Sequence, residues 1–534
     1  MKKRILSCVQ PGGRFVYGIH KPSYNVKNMR GTTRFDILGE DENGVVRNTE
    51  NFPVGTVEVA GADWIYEIPN PFPFRGRTFI DKEWADHSAE DPARIKLPQM
   101  PAVSMSELFG NPPENCEIIT KLPAPLQLAL ATTSTDPRDL VLLARTCCEL
   151  IEEEGEPIRL RYSNKGGRRR AVIHDHLLFE GVANNPHLPD EYKVAMVIRP
   201  GAQGASEIVG EWKVEGESHI YEYLRRNSYI SGGHYAANMA EDAIRYSTPA
   251  LSECDMEGLR HLYCQRSYVR LAEALDLPVP EEDRTLSSSE LEELRLAICA
   301  AMKDGAQAEG LSATLWGWNY GFDYAPTGYR LHASHQQIHQ QYAMLPEEIE
   351  AFHGGASTTD GTLPAYGCGD LIADVIEQYA AEYHSDFFTD YRQAIQSNER
   401  MDERRLEQSL VVWRDENVML FVPKAQTSQW ELQLMTLPGA DGRLPGNIVE
   451  CNPAVRRSLN QGLRTAQRVL AGMGARMVTS IEFPKRLGAS ISQPLLYSLL
   501  PRLPESPGAF SEAQLRFIIG HFPEDFAIAC RKQL

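Results

Sequence analysis

A chain of 534 residues is too long for one compact core; at roughly 100–200 residues per domain it divides into about three units. Its 42% hydrophobic, 24% charged and 9% aromatic content excludes a disordered polymer, and a net charge of −18 argues against a nucleic-acid backbone as partner. The start, Met1-Lys2-Lys3-Arg4 followed by Pro11-Gly12-Gly13, has no apolar core of secretory length, and apolar runs such as Val418–Val422 and Leu495–Leu500 are too short to span a membrane. The ten cysteines form no CxxC pair, which suits reduced thiols. These features predict a soluble, cytoplasmic protein.

Residues 1–156 are rich in Pro and Gly, as in Ile68-Pro69-Asn70-Pro71-Phe72-Pro73-Phe74, and read as an irregular N-terminal extension with a helix only near Asp139–Glu154. From residue 157 to 347 the pattern predicts a first unit. Its strands are expected at Ala171–Phe179 and Tyr192–Arg199, a helix from Leu251 to Leu275, a second at Ser289–Met302, and two more strands at Ala313–Asn319 and Ile338–Leu345. The basic run Lys165–Arg170 reads first as a solvated hairpin turn and second as a phosphate contact. Residues 348–409 form a helical connector, with an amphipathic helix at Leu371–Tyr383.

Residues 410–534 repeat the order of the first unit, which is the strongest organisational signal in the chain. A strand pair lies in Leu410–Val422 and Trp430–Thr436, a helix opens at Asn452-Pro453, strands follow at Arg476–Phe483 and Leu495–Leu500, and Ser511–Phe522 is expected to be a closing helix. The predicted class is therefore α+β: two repeats, each a mainly antiparallel sheet with a covering helix, behind an N-terminal extension.

The chemistry concentrates in Leu331-His332-Ala333-Ser334-His335-Gln336-Gln337-Ile338-His339-Gln340-Gln341, preceded by Asn319-Tyr320-Gly321. In an extended strand, positions 337, 339 and 341 share one face, which sets an imidazole between two amides. A neutral histidine attacks phosphorus without prior deprotonation, and carboxamides donate to non-bridging phosphate oxygens. The pattern resembles the histidine-triad (HIT-like) superfamily, in its branch of galactose-1-phosphate uridylyltransferases, diadenosine tetraphosphate phosphorylases and GDP-hexose phosphorylases, whose active strand reads Ser-x-x-His-x-His-x-Gln after an Asn-x-Gly strand end.

That resemblance implies two HIT-like repeats with His339 as nucleophile, Ser334 and Gln341 on the transferred phosphate, and Asn319 and Gln337 in substrate binding. It further implies Lys485, Arg486 and Arg502 as contacts to an acceptor phosphate. Gln337 stands where the branch commonly has its first histidine, a zinc ligand in some members, so no structural zinc and no cofactor are expected. The implied partners are a nucleotide-sugar or dinucleotide substrate and a phosphate-bearing acceptor in carbohydrate metabolism, with no nucleic acid or membrane, and a homodimer as the assembly to test. No histidine occurs between His384 and His521, so the C-terminal repeat cannot supply a second nucleophile.

Two other readings stay open on the sequence. A nucleotide-binding regulatory protein would keep the pocket without turnover, and a metal protein would use His332, His335 and His339 on one helical face. His234 beside Gly232-Gly233, and Arg245-Tyr246, read equally as phosphate contacts or as ordinary turn and packing residues.

Overall fold

The computed structural model describes residues 7–534 apart from 21–22, 28, 30–33, 49–54, 60–64, 98–100, 111–117, 166–167, 186, 198–247, 281–283, 307, 309, 322–338, 353–358 and 504–512. Near the N-terminus lie strands β1 (Gly18–His20), β2 (Ile65–Pro69) and β3 (Arg77–Asp81) and helices α1 (Lys82–Glu90), α2 (Ala124–Thr133) and α3 (Pro137–Cys147). Then come α4 (His176–Ala183), α5 (Asp190–Val197), α6 (Glu253–Ala274), α7 (Ser288–Lys303), β4 (Ala313–Gly321), β5 (His339–Leu345), α8 (Cys368–Tyr383) and α9 (Phe387–Gln396). The C-terminal part holds β6 (Val411–Arg414), β7 (Val418–Phe421), β8 (Leu432–Thr436), α10 (Pro453–Gly472), β9 (Met477–Phe483), β10 (Leu496–Pro501), β11 (Arg516–Ile519) and α11 (Pro523–Arg531). The class is α+β.

One seven-stranded antiparallel sheet, ordered β5-β4-β9-β10-β8-β7-β6, joins the strands of both halves of the chain. Its faces are distinguished by alternation. On β4, Trp316, Trp318 and Tyr320 are buried against α6 and α10 in one core, with Leu434 and Tyr497 from the neighbouring strands. Met419, Phe421, Met435, Phe483 and Leu496 project the other way into a second core closed by α8, α9 and the N-terminal region. The result is a sheet sandwiched between two helical layers, whose apolar strand residues leave water on both sides.

Local chemistry explains the helices. Ser252 and Asp255 form a capping box at α6, and Asn452 accepts from the Val455 amide at 2.9 Å while Pro453 occupies the first turn of α10. Two expected strands give way to helices: Asp175 accepts from the amides of Leu177 and Leu178 and starts α4 inside Ala171–Phe179, and α5 begins at Asp190, just after Pro189, and takes in Tyr192–Val197 of the expected Tyr192–Arg199. Apolar runs of strand length cannot be told from short buried helices by pattern alone, and at α4 the Asp175 cap decides.

The helix expected at Ser511–Phe522 includes Ala513 and Gln514 but gives way to a strand from Arg516. Arg516–Ile519 pairs in parallel with Arg77–Ile80, in a second sheet ordered β11-β3-β2-β1, and the next helix begins at Pro523. The partner strand lies more than four hundred positions away, out of reach of a local pattern. The Pro-rich N-terminal region thus carries a sheet edge that receives the C-terminus. Tyr162–Lys165 pairs with Arg168–Ala171, so the basic run flanks a hairpin.

Candidate active site at the end of an edge strand

Strand β5 lies at the edge of the main sheet, and its first residue, His339, is the ladder partner of Asn319. Gln341 stands opposite Gly317, so positions 339 and 341 share parity on β5 and face the parity of Asn319 on β4. The alternate positions serve packing: Tyr342 lies against the Arg266 guanidinium and the Tyr263 ring of α6. Gln341 is exposed.

Asn319 is in turn the ladder partner of Thr479 on β9, whose hydroxyl donates to Asn319 Oδ1 at 2.7 Å. This bond fixes which end of the amide is oxygen and turns its NH2 away from Thr479. Two residues on, Gly321 adopts φ of +95°, and a Cβ there would meet the Arg476 carbonyl oxygen at 2.0 Å. Glycine at this point of the Asn-x-Gly segment is therefore a steric necessity, because the backbone lies hard against the Arg476 carbonyl in a conformation that side chains rarely adopt. Asn319, His339 and Thr479 form one row across three strands.

Arg502 belongs to this end. Its backbone amide donates to the Met477 carbonyl at 2.8 Å, and its side chain is exposed on the rim. Lys485 and Arg486 lie elsewhere. Arg486 binds both Asp370 oxygens (2.7 and 2.8 Å), the Pro346 carbonyl (3.0 Å), the Ala365 carbonyl and the Ser312 hydroxyl. Ser312 precedes Asn319 by seven residues of strand, about 23 Å at roughly 3.3 Å per residue. Lys485 sits on the same side of the molecule, paired with Glu450 at 2.9 Å. A cleft of about 880 Å³ opens beside Arg486, but Glu347, Glu348, Asp370 and Glu377 line it, a poor seat for an anionic acceptor.

A second polar group on the sheet escaped sequence reasoning. Glu431 is fully buried and accepts from Arg75 (2.6 Å), Thr427 N (2.7 Å), Thr427 Oγ1 (2.9 Å), Ser498 (2.7 Å) and Gln433 (3.0 Å). Burial alone would raise its pKa; the Arg75 charge and these donors together hold it below the usual carboxylate range. Ser498, Ile481, Gly317 and Gln341 occupy successive strands of one row, so the cluster lies about 14 Å across the sheet from Gln341 at roughly 4.8 Å per strand. The only sequence signal was the alternation of Glu431 and Gln433 with apolar neighbours.

Ser334, Gln337, His332, His335, His234, Arg245 and Tyr246 lie outside the described residues, as does the chain between Gly321 and His339. Among the described residues no group of three or more His, Cys, Asp or Glu side chains is placed to hold a metal ion, and no helix is long and apolar enough to cross a membrane.

No family model matches the chain, and no curated protein does. Among solved structures it is similar to a uridylyltransferase (13% identity, TM-score 0.31, covering 49% of this chain and 69% of the other) and to a GalT-like protein from Arabidopsis thaliana (13%, TM-score 0.31, 46% and 68%). It is also similar to an ADP-glucose phosphorylase from Arabidopsis thaliana with bound ADP-glucose (12%, TM-score 0.30, 45% and 64%). Superpositions this loose assign neither activity nor residues.

Proposed function

We propose that the protein is a nucleotidyltransferase or phosphorylase that carries a nucleoside monophosphate on His339. The observation that carries the reading is the ladder pairing of His339 with Asn319, which brings two separate parts of the sequence motif to one open sheet end. The donor is a nucleoside diphosphate sugar or a dinucleoside polyphosphate. The imidazole nitrogen of His339 attacks its α-phosphorus, the bond to the bridging oxygen breaks, and the leaving phosphate takes the electron pair; an acceptor phosphate oxygen then reverses the process. Gln341 and Ser334 donate to the non-bridging oxygens as charge develops.

Asn319, oriented by Thr479, contacts the bound nucleotide, and Gln337 contributes from the same strand parity as His339. For the acceptor, Arg502 at the rim is favoured over Lys485 and Arg486, whose charges are already met by Glu450 and Asp370.

Incubation with UDP-glucose, GDP-hexoses or dinucleoside tetraphosphates labelled in the α-phosphate tests this directly. Acid-labile, base-stable label mapping to His339 is the expected result, and label on another residue overturns it. Elemental analysis should find no stoichiometric zinc, since Gln337 replaces a ligand.

A further inference from the structure

The second core covers only part of the sheet face that carries Asn319 and, by ladder register, His339. Phe483 on β9 and Leu496 on β10 are buried in that core, but Leu315, Gly317 and Asn319 on β4 and Thr479 and Ile481 on β9 are half-buried, although both strands lie inside the sheet and the positions alternating with them are buried on its other face. The entry to α8 closes one end of this window, for a Cβ on Gly367 would stand 3.6 Å from Leu315. We propose that Gly317, at the centre of the window, is a specificity-determining residue that keeps the floor flat for an uncharged ring of the donor, the nucleoside's or the sugar's. This rests on the reading of His339 as nucleophile.

Glycine in the middle of a 9-residue strand weakens it, because the backbone loses more freedom on folding and no side chain packs there. The usual backbone reasons for accepting that loss do not apply to Gly317. Its φ is outside the left-handed region, and the ladder passes through it in register to Gln341 on one side and Ile481 on the other. A Cβ on it would meet only the Ser480 carbonyl, at 3.7 Å, an ordinary van der Waals contact. Gly321 is the opposite case, pressed against the Arg476 carbonyl. Among the described residues the fold therefore has room for a side chain at 317, and that side chain would stand in the open space above the sheet. A bare position of this kind suits the close approach of another group to the backbone.

The chemistry of the floor selects the group. Leu315 and Ile481 are apolar, the Thr479 hydroxyl donates to Asn319 at 2.7 Å, and none of the five floor residues is charged. Arg75, in the neighbouring buried cluster, is bound to Glu431 at 2.6 Å. A phosphate gains no counter-charge over Gly317, so the phosphates stay at the row of His339 and Asn319. Gly317 lies two residues along β4 from Asn319, about 7 Å at roughly 3.3 Å per residue, within reach of a ring joined to a phosphorus at that row. A ring lying flat there sheds water from its apolar face against the backbone and against Leu315 and Ile481. Gly317→Val would fill that layer with methyl groups.

The test compares the full chain as wild type, Gly317→Ala and Gly317→Val, with UDP-glucose, GDP-glucose and diadenosine tetraphosphate labelled in the α-phosphate. Label on His339 reads transfer, equilibrium dialysis reads binding, and a melting curve reads the fold. Gly317→Val should raise both the donor concentration for half-labelling and the Kd at least tenfold, and Gly317→Ala by less. Tm should equal or exceed that of wild type, because the added side chains meet nothing in the fold and stiffen the unfolded chain. Competition by nucleoside monophosphates and by glucose 1-phosphate names the ring: the competitor whose affinity falls in Gly317→Val is the one seated on the floor, and a fall in neither overturns the proposal. Labelling and binding unchanged in Gly317→Val also overturn it and leave the His339 nucleophile standing. So does a lower Tm in both variants, which would make this glycine a packing residue. Binding that weakens in Gly317→Val when wild type carries no label on His339 overturns the nucleophile and keeps the floor, and no binding to wild type overturns both.

Discussion

Just before β4, Ser312 is tied down by Arg486, whose donors also reach Asp370 and the Pro346 carbonyl that follows β5. At Asn319, near the other end of the strand, the side-chain oxygen accepts from the Thr479 hydroxyl, the facing strand is an edge, and Gln341 is exposed. One strand thus runs from a cross-linked anchor to an open end. The anchor fixes one end of the strand, while at the other the edge position and the exposed Gln341 leave room for a ligand. Precise placement of reacting groups needs such rigid support.

The sharpest way to break the contrast is His339→Asn. Turnover should fall by at least about ten-thousandfold, or roughly 5.5 kcal/mol of barrier, with Tm unchanged, because the open end contributes little to the core. Steady-state assay beside a melting curve reads both; a large loss of Tm would show that the open end is structural. The converse is Arg486→Met, which takes the cation from Asp370 at the anchor and leaves it only the Gly367 amide. Urea unfolding should lose about 3 kcal/mol, while the folded fraction keeps kcat within a few-fold. If kcat collapses with native-like stability, Arg486 belongs to the chemistry after all.

Smaller effects sharpen the picture. Gln341→Ala should slow turnover about a hundredfold, roughly 2.7 kcal/mol, through loss of one donor to the transition state, with KM changed less than kcat. Away from both ends, His521 is buried beside Gln426 and the Phe526 ring, and burial pushes its pKa down to about 3. Its folded value is depressed, so the unfolded chain takes up the proton first as pH falls. The native state therefore loses stability from about pH 6.5 downward, by about 2 kcal/mol at pH 5. Denaturant midpoints at pH 7 and 5 should converge in His521→Gln relative to wild type. The mildest change is Thr479→Val, expected to slow turnover less than tenfold by removing one hydrogen bond to Asn319 Oδ1, about 1 kcal/mol.

Much of the architecture was legible because its causes are local. The alternation of Trp316, Trp318 and Tyr320 marks β4, and Ser252 and Asn452-Pro453 mark the starts of α6 and α10, whereas the polar run before His339, on which the proposed site rests, lies outside the described residues. Asn319-Tyr320-Gly321 was legible as a motif too, although the reason for its glycine, the Arg476 carbonyl against which a Cβ would press, was not.

What only tertiary structure decided are the pairings between distant segments. Arg516–Ile519 becomes a strand because Arg77–Ile80 offers an edge, Arg75 finds Glu431 across the sheet, and Arg486 is diverted from the rim by Asp370. A cap or an alternation acts over a few residues and is written in their order. A charge finds its partner, and a strand its neighbour, only once the chain has closed, because a Coulomb or ladder interaction depends on distance in space and is indifferent to distance along the chain.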